Sequence, residues 1–316
     1  MNKKMISLRE AFGNALIEMA ELRDDFVVLD ADVAGGTGVN PFRYAYPERF
    51  IQCGIAEQNM MSLAAGIASS DIIPIVTCYA VFASMRAIEQ ARNSIAYPRF
   101  NVKIVASHVG LDVGPDGASH QCVEDLAIYR SIPNFSVLSP ADPRELKSLL
   151  NKTLDLNGPV YMRTGRSPVP DIVYEDNQID FSIGKGSVVK QGKDLTIIAT
   201  GIMVYRAVEA ANILKSEGVN AKVINISTIK PLDKDIIVAS SKLTGAIVTA
   251  EDHNIIGGLG SAIAECISRY APCPIEFVGV NDTFGESGDP IDLAKKYNLT
   301  SSDIYNSCKK VLSRKI

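Results

Sequence analysis

Glu57 stands at the start of a helical pattern whose neighbours are mostly Ile, Met, Ala and Gly. A carboxyl group in such apolar surroundings tends to lose its water, which raises its pKa and lets it act as a proton donor. A glutamate in the first turn of a helix is more often a surface residue that complements the helix dipole. The scarcity of charge on either side of Glu57 favours the proton donor.

The glycine-rich segment from His108 to Gln121 holds two of the three histidines in the chain, His108 and His120. Asp112, Asp116 and three glycines lie in the same segment, which follows a predicted strand. The spacing of these histidines and carboxylates matches no compact zinc pattern, so we predict no metal site. A single loop histidine is usually structural, but two together favour acid–base catalysis or hydrogen bonding to a substrate.

Arg163 and Arg166 lie close to Gly165 at the end of another predicted strand. Two guanidinium groups in this setting can grip a phosphate or a carboxylate, but an interdomain salt bridge fits the spacing equally well. The acidic, glycine-rich turn at 30–38 could hydrogen-bond a ligand or cradle an anion, or it could be only a flexible loop. His253 follows a later strand, and we favour an interface over an anion site for it.

The elements that carry these residues alternate between apolar runs of strand length and stretches with helical periodicity. Such alternation, with strands apolar on both faces, predicts an α/β fold built on parallel sheets. The pattern breaks near 165–182 and restarts on a smaller scale, which predicts domains at 1–170 and 184–316 joined by a linker at 171–183. Polar residues follow several of the strands, and open parallel sheets bind their ligands beyond the carboxyl ends of strands.

The composition excludes some classes of function. The 316 residues carry a net charge of -4, whereas a general nucleic-acid binder needs a dense basic face. No apolar run reaches the ~20 residues of a membrane helix. The six cysteines form no Cys-x-x-Cys pair, which favours a reduced, cytoplasmic protein.

Four segments taken together resemble the thiamine-diphosphate enzymes of the transketolase family. They are Gly54–Asn59, Asp116–Gln121, Glu251–Asn254 and Phe284–Gly288. The likeness covers nearly the whole chain and implies a pyrimidine-binding domain at 1–170, followed by the family's smaller α/β C-terminal domain. It also implies thiamine diphosphate as cofactor and the transfer of a two-carbon ketol unit from a ketose to an aldose.

The family's diphosphate-binding domain carries a Gly-Asp-Gly motif and the ligands of a Mg²⁺ ion, and this sequence contains no Gly-Asp-Gly. The resemblance therefore implies the C-terminal subunit of a split transketolase, which needs an N-terminal subunit to supply the diphosphate and Mg²⁺ site. Because family sites form between chains, we expect two copies of each subunit, a dimer of heterodimers that acts on a sugar phosphate.

The resemblance also implies roles at the cofactor. Glu57 would hydrogen-bond the ring nitrogen of the aminopyrimidine and so begin the proton relay that activates the thiazolium ring. Ile55 would contact the cofactor as well. Phe82 would stack on the pyrimidine ring, with Tyr79 close enough to take its place.

At the substrate, His108 and His120 would hold the donor ketose, and Asp116 would bind one of its hydroxyl groups. The phosphate-anchoring residues implied by the resemblance are Arg9, together with Arg163 or Arg166. A serine of the family is replaced near 36–38 by Gly36 or Thr37, so Thr37 is a further substrate-binding candidate.

Other functions on the same scaffold remain open. Deoxyxylulose-phosphate synthases and the β subunits of 2-oxoacid dehydrogenases share both domains and the glutamate. The segments Asp116–Gln121 and Phe284–Gly288 favour transketolase. A non-catalytic subunit is disfavoured, because polar residues such as Glu57 and His108 would drift away from a pocket that they do not stabilise.

Overall fold

The computed structural model describes residues 5–172, 174 and 181–315. These residues form a seven-stranded sheet, a five-stranded sheet and a two-stranded ribbon, with helices packed against the sheets. Most strand pairs within the two large sheets are parallel. The predicted α/β class is therefore confirmed.

The strands alternate with helices along both halves of the chain. Strands of the N-terminal half are β1 (Met5–Ser7), β2 (Phe26–Asp30), β3 (Phe50–Gln52), β4 (Ile73–Tyr79), β5 (Lys103–Ser107), β6 (Ser136–Leu138), β7 (Val160–Thr164) and β8 (Pro168–Pro170). Those of the C-terminal half are β9 (Ser187–Lys190), β10 (Leu195–Ala199), β11 (Ala221–Asn225), β12 (Thr228–Lys230), β13 (Ile247–Asn254) and β14 (Ile275–Val280).

The helices cover the sheets. They are α1 (Leu8–Ala20), α2 (Ala34–Thr37), α3 (Asn40–Ala45), α4 (Glu57–Ala68), α5 (Ile88–Gln90), α6 (Asp125–Ser131), α7 (Pro143–Asp155), α8 (Met203–Ser216), α9 (Lys234–Thr244), α10 (Leu259–Tyr270), α11 (Pro290–Lys296) and α12 (Ser301–Ser313). No helix in the described ranges is both long enough and apolar enough to cross a bilayer.

The ends of α7 show how local sequence sets these elements. Asp142 accepts a hydrogen bond from the Glu145 N–H at 2.8 Å, and Pro143 occupies the first turn. The sequence Asp142-Pro143 predicts an N-cap followed by a proline at the first helical position, an arrangement that satisfies an otherwise unpaired amide. A proline in an apolar run of strand length is expected at a strand entrance or on an edge strand. Pro74 is the second residue of β4, which lies in the interior of the sheet, so it is found at a strand entrance.

The seven-stranded sheet has the order β12-β6-β7-β5-β4-β2-β3, so a strand of the C-terminal half extends the N-terminal sheet. Strand β12 pairs antiparallel with β6, and the Ser139 N–H donates to the Ser227 carbonyl at 2.7 Å. This pairing joins the two halves through backbone hydrogen bonds, a link that the sequence pattern did not predict.

Two further predictions concern local structure. Helical periodicity predicts one helix from Met85 to Tyr97, but the structure has the short α5 between two π-helical turns, Phe82–Arg86 and Ala91–Ala96. Of the predicted linker 171–183, residues 173 and 175–180 lie outside the described part of the chain. Tyr174 is described, and its buried hydroxyl accepts a hydrogen bond from Asn225 Nδ2 at 3.0 Å.

Candidate active site

The candidate residues gather at the carboxyl ends of neighbouring parallel strands. Tyr79 is the last residue of β4, His108 follows β5, and Arg166 follows β7. Strands β7, β5, β4 and β2 are adjacent in the sheet. The sheet therefore brings together side chains from positions far apart in the sequence, at the edge where parallel sheets bind ligands.

Glu57 lies at the N-terminus of α4 and is 3% exposed. Its two carboxylate oxygens accept hydrogen bonds from Arg86 Nη1 at 3.0 and 3.1 Å. The Arg86 guanidinium also lies 4.4 Å from the centre of the Phe82 ring. The sequence on either side of Glu57 is poor in charge, but the fold places the positive charge of Arg86, 29 positions further on, beside the carboxylate.

Aromatic and imidazole rings form one wall of the site. The Tyr79 ring stacks on the His108 ring with centroids 3.8 Å apart. Phe82 meets the edge of His120 at 5.5 Å and lies 6.1 Å from Tyr79. Since Phe82 also contacts Arg86, the rings connect the Glu57 carboxylate to both histidines.

His108 is held in an unusual backbone conformation, with φ at +58°. Non-glycine residues at positive φ are uncommon and collect at functional sites. Its Nδ1 is 2.9 Å from Ser107 Oγ, and its Nε2 is 3.7 Å from Asp116 Oδ2. Burial lowers the His108 pKa to about 4, and the positive charges of Arg166 and Arg9 act in the same direction. The imidazole is therefore neutral near pH 7.

Two arginines lie beside this histidine. Arg166 Nη1 is 3.3 Å from Asp116 Oδ1, and the same nitrogen donates to the Val113 carbonyl. Arg9 Nη1 donates to the Gly36 carbonyl at 3.1 Å. Both guanidinium groups lower the pKa of His108, so their positive charges act at this imidazole and would also favour an anionic ligand group beside it.

Two predicted substrate-binding residues do not join this group. Arg163 is 3% exposed and forms a buried ion pair with Asp125, and it also donates to the Asp252 carbonyl at 3.0 Å. The ion pair lies within the N-terminal half, so Arg163 forms no interdomain salt bridge with Asp125, and its contact with the C-terminal half is the hydrogen bond to the Asp252 carbonyl. Thr37 is buried in α2, where its hydroxyl donates to the Val33 carbonyl at 3.3 Å. Both side chains are thus buried and engaged with partners within the chain.

Ile55 and His253 occupy contrasting environments. Ile55 is 76% exposed two residues before Glu57, so this apolar side chain is accessible at the rim of the site. His253 is fully buried, and its Nε2 accepts a hydrogen bond from the Ala127 N–H at 3.3 Å. This contact links β13 to α6 across the two halves of the chain, which agrees with the predicted interface position.

Sequence reasoning missed Arg86 and the role of Gly36. Arg86 follows the aromatic run of Tyr79 and Phe82, but the π-helical turn decides which way it points. At Gly36, an added Cβ would lie 2.2 Å from the Tyr79 hydroxyl oxygen. Only a residue without a side chain lets Tyr79 approach this closely.

The donor set suits a planar heterocycle better than a metal ion. A buried carboxylate beside an aromatic face can hydrogen-bond and stack a pyrimidine ring, and Glu57 and Phe82 provide both. Arg86 contacts both groups, so a bound ring would compete with it. Across residues 5–172, 174 and 181–315, no three His, Cys, Asp or Glu side chains form a group that could hold a metal ion.

Comparison with known proteins identifies two domains. The family described as "Transketolase, pyrimidine binding domain" matches residues 4–171, and "Transketolase, C-terminal domain" matches residues 184–304. A solved structure described as "Split gene transketolase, inactive beta4 tetramer" is 48% identical, with a TM-score of 0.91 over 98% of this chain and 100% of that one.

Curated relatives include whole enzymes and subunits. The "6-deoxy-6-sulfo-D-fructose transketolase subunit SqwH" of Clostridium sp. (strain MSTE9) is 41% identical over 308 residues, 98% of this chain and 95% of that protein. The transketolase of Homo sapiens is 34% identical over 313 residues, 98% of this chain but 49% of that protein. The chain therefore belongs to the transketolase family of transferases and corresponds to the C-terminal subunit of a split transketolase-like enzyme.

Proposed function

We propose that this chain, together with an N-terminal subunit, transfers a two-carbon ketol unit from a ketose phosphate to an aldose phosphate. The observation that carries the proposal is the series of contacts that connects the buried Glu57 carboxylate, through Arg86 and the aromatic rings, to His108, His120 and Asp116. This arrangement combines a cofactor-facing acid with several groups that can bind sugar hydroxyls.

Thiamine diphosphate, when bound, supplies the electron sink for cleaving the ketose beside its carbonyl group. Glu57 would hold a proton on the pyrimidine ring nitrogen, and the Phe82 face would orient that ring. The rim residue Ile55, exposed beside Glu57, would contact the cofactor as well.

His108 would bind the donor sugar as a neutral imidazole, because its pKa of about 4 keeps it uncharged in neutral solution. A neutral ring offers one donor and one acceptor, which suits a hydroxyl group. His120, at the edge of Phe82, would contact the same sugar, and Asp116 would accept a hydrogen bond from a hydroxyl. Arg9 and Arg166 would grip the phosphate.

The diphosphate group and its Mg²⁺ ion would be held by the N-terminal subunit, in a dimer of heterodimers. The "inactive beta4 tetramer" described for the 48% identical protein supports the view that such a subunit associates with itself and lacks activity alone. The match to half of human transketolase supports the same division of labour. The six free cysteines support a reducing, cytoplasmic setting.

The test is reconstitution. This chain, mixed with a chain that carries the family's Gly-Asp-Gly domain, thiamine diphosphate and Mg²⁺, should convert xylulose 5-phosphate and an aldose phosphate to transketolase products. Glu57→Ala should lower kcat by at least about 100-fold, because the relay then has no acid. The control is Glu48→Ala, at an exposed glutamate, which should leave the rate unchanged.

Three outcomes would contradict the proposal. Full activity of Glu57→Ala would exclude the proton relay. Decarboxylation of pyruvate with no reaction of ketoses would favour a 2-oxoacid dehydrogenase β subunit. Condensation of pyruvate with glyceraldehyde 3-phosphate would favour a deoxyxylulose-phosphate synthase. A sulfo-sugar donor, as in the name of the 41% identical subunit, would keep the reaction but change the anionic group that Arg9 and Arg166 bind.

A further inference from the structure

The segment from His108 to Gln121 is pressed against the C-terminal half of the chain at three glycines. Each has a positive φ, and each would place an added Cβ within 3.0 Å of an atom from beyond residue 250. The glycines are Gly110, Gly114 and Gly117, and the facing residues are Asp252, Pro290 and Ser287, at 2.1, 2.9 and 2.4 Å respectively. The segment that carries both site histidines thus follows the surface of the C-terminal domain.

Asp252, which lies two residues before the end of β13, makes the closest of these three contacts. Its carboxylate accepts hydrogen bonds from the Leu111 N–H at 3.0 Å and the Asp112 N–H at 3.3 Å, and it is 6% exposed. Hydrogen bonds from backbone amides to a carboxylate are stronger than those between neutral groups. A buried charge therefore holds two successive amides of the histidine segment.

A second carboxylate extends this contact into the site. Asp112 Oδ2 accepts hydrogen bonds from the Arg166 N–H at 3.1 Å and the Ser167 N–H at 2.8 Å. Arg166 in turn pairs with Asp116 at 3.3 Å, and Asp116 lies 3.7 Å from His108 Nε2. These contacts connect Asp252 to His108, and each group between them has at least one charged partner.

The other end of the segment has its own anchor. Gln121, next to His120, donates from Nε2 to the Glu286 carbonyl at 2.9 Å. A Cβ added at Gly285 would lie 2.0 Å from Gln121 Oε1 and 2.5 Å from Leu111 Cδ2. Because Gly285 is not at positive φ, alanine there would press on the segment without straining its own backbone.

We propose that the C-terminal domain sets the geometry of the substrate site, with Asp252 as the positioning residue for His108, Asp116 and His120. This proposal rests on the proposed function for its catalytic meaning, but its structural part is independent. It gives the C-terminal domain a role in the chemical step, although the cofactor-facing residues Glu57 and Phe82 lie in the N-terminal half.

The structural part is tested by hydrogen–deuterium exchange on the full chain. Asp252→Asn keeps the size of the side chain but removes its charge and turns one acceptor into a donor that faces an N–H group. The amides of Leu111 and Asp112 should exchange about tenfold faster or more. The control is Asp292→Asn, at an exposed aspartate of α11, which should leave this exchange unchanged. Unchanged exchange in Asp252→Asn would overturn the proposal.

The catalytic part is tested on the reconstituted complex. Asp252→Asn should lower kcat for the ketose by about 10-fold or more, since displaced catalytic groups lose rate steeply. The concentration of thiamine diphosphate that gives half-maximal activity should stay within about twofold, because Glu57 and Phe82 lie outside the segment. A merely destabilised protein would instead lose cofactor affinity and rate together, and that result would overturn the positioning role.

Gly285→Ala provides a second variant that leaves Asp252 intact. It should speed hydrogen–deuterium exchange of the amides around Gln121. It should also lower kcat while the thiamine diphosphate concentration that gives half-maximal activity stays the same. If the complex shows no transketolase activity at all, the proposed function fails, while the exchange measurements still decide whether Asp252 holds the segment. Faster exchange with unchanged kcat would reject the catalytic meaning of the contact.

Discussion

Arg163 and Arg166 are three residues apart, yet their guanidinium groups lie in different environments. Arg163 is 3% exposed, and its Nε donates to Asp125 Oδ2 at 2.8 Å. Asp125 is itself fully buried and accepts a further hydrogen bond from the Tyr161 hydroxyl at 2.5 Å. Arg166 keeps 28% of its side chain exposed beside Asp116. One arginine is structural, and the other is available to a ligand.

Replacement of each arginine by methionine should separate these roles. Arg163→Met should lower the free energy of unfolding by about 3–5 kcal/mol, because it leaves the Asp125 charge buried without its partner. Arg166→Met should cost about 1 kcal/mol or less but raise KM for a phosphorylated donor. Urea unfolding and steady-state kinetics measure the two effects.

A double variant provides the control for the arginine prediction. Arg163→Met combined with Asp125→Leu removes both charges, so it should recover much of the stability lost in the single variant. Equal losses of stability in Arg163→Met and Arg166→Met would show that the burial of the Arg163 pair has no energetic consequence.

The sequence was informative about residue types near the site but not about their final partners. Glu57, His108 and Arg166 follow strands or begin helices, the positions at which open parallel sheets bind their ligands. Arg86 reaches Glu57 through a π-helical turn, which a helical period of 3.6 residues does not indicate. Thr37 sits in α2, where its hydroxyl bonds to the helix backbone, as threonine in a helix often does.

At the scale of elements, apolar runs predicted the central strands well because those strands are buried on both faces. Strand β12 was missed for a physical reason. It has three residues, and its partner β6 lies about 90 residues earlier in the chain. A strand this short has no detectable period, and only the tertiary fold brings it beside the edge of the N-terminal sheet.

Strand β12 should couple the unfolding of the two halves. Ile229, its central residue, is 1% exposed. Ile229→Ala should lower the free energy of unfolding by about 2–4 kcal/mol, as expected for a buried isoleucine. Because β12 comes from the C-terminal half but pairs with the N-terminal sheet, this change should also split the calorimetric transition into two steps.

Ile237→Ala is the matched control for β12. Ile237 is fully buried in α9, within the C-terminal half, so its truncation should cost similar stability. Ile237→Ala should lower the midpoint temperature of the calorimetric transition, but the two halves should still unfold in one step. One cooperative transition in both variants would mean that β12 does not couple the halves.

Across the whole molecule, burial shifts the pKa values of four groups, two upwards and two downwards. Burial raises the pKa of Glu145 and of Glu251 from 4.5 to about 7. Burial also lowers the pKa of His108 and of His253 from 6.5 to about 4. Glu145 lies between the halves, where Asn225 Nδ2 donates to both of its carboxylate oxygens at 2.9 Å.

The signs follow from proton linkage. A carboxyl group whose pKa is higher in the folded state binds its proton more tightly there. Its stabilising contribution is therefore complete below pH 4.5 and is lost as the pH rises to about 7. A histidine with a lowered pKa contributes fully above pH 6.5 and loses that contribution as the pH falls to about 4. Each change is worth about 3 kcal/mol, so the two pairs oppose each other over nearly the same range.

Glu145→Gln should reveal this compensation, because it removes one stabilising contribution that is lost as the pH rises and leaves both histidines in place. Relative to the wild type, the variant's free energy of unfolding should rise by about 3 kcal/mol between pH 4.5 and 7. Urea unfolding at several pH values across this range measures the difference. The control is Glu48→Gln, at an exposed position, whose difference from the wild type should not change with pH. A constant difference for Glu145→Gln would show that the Glu145 carboxyl does not take up its proton in the fold, and that the interface between the halves accommodates a charge.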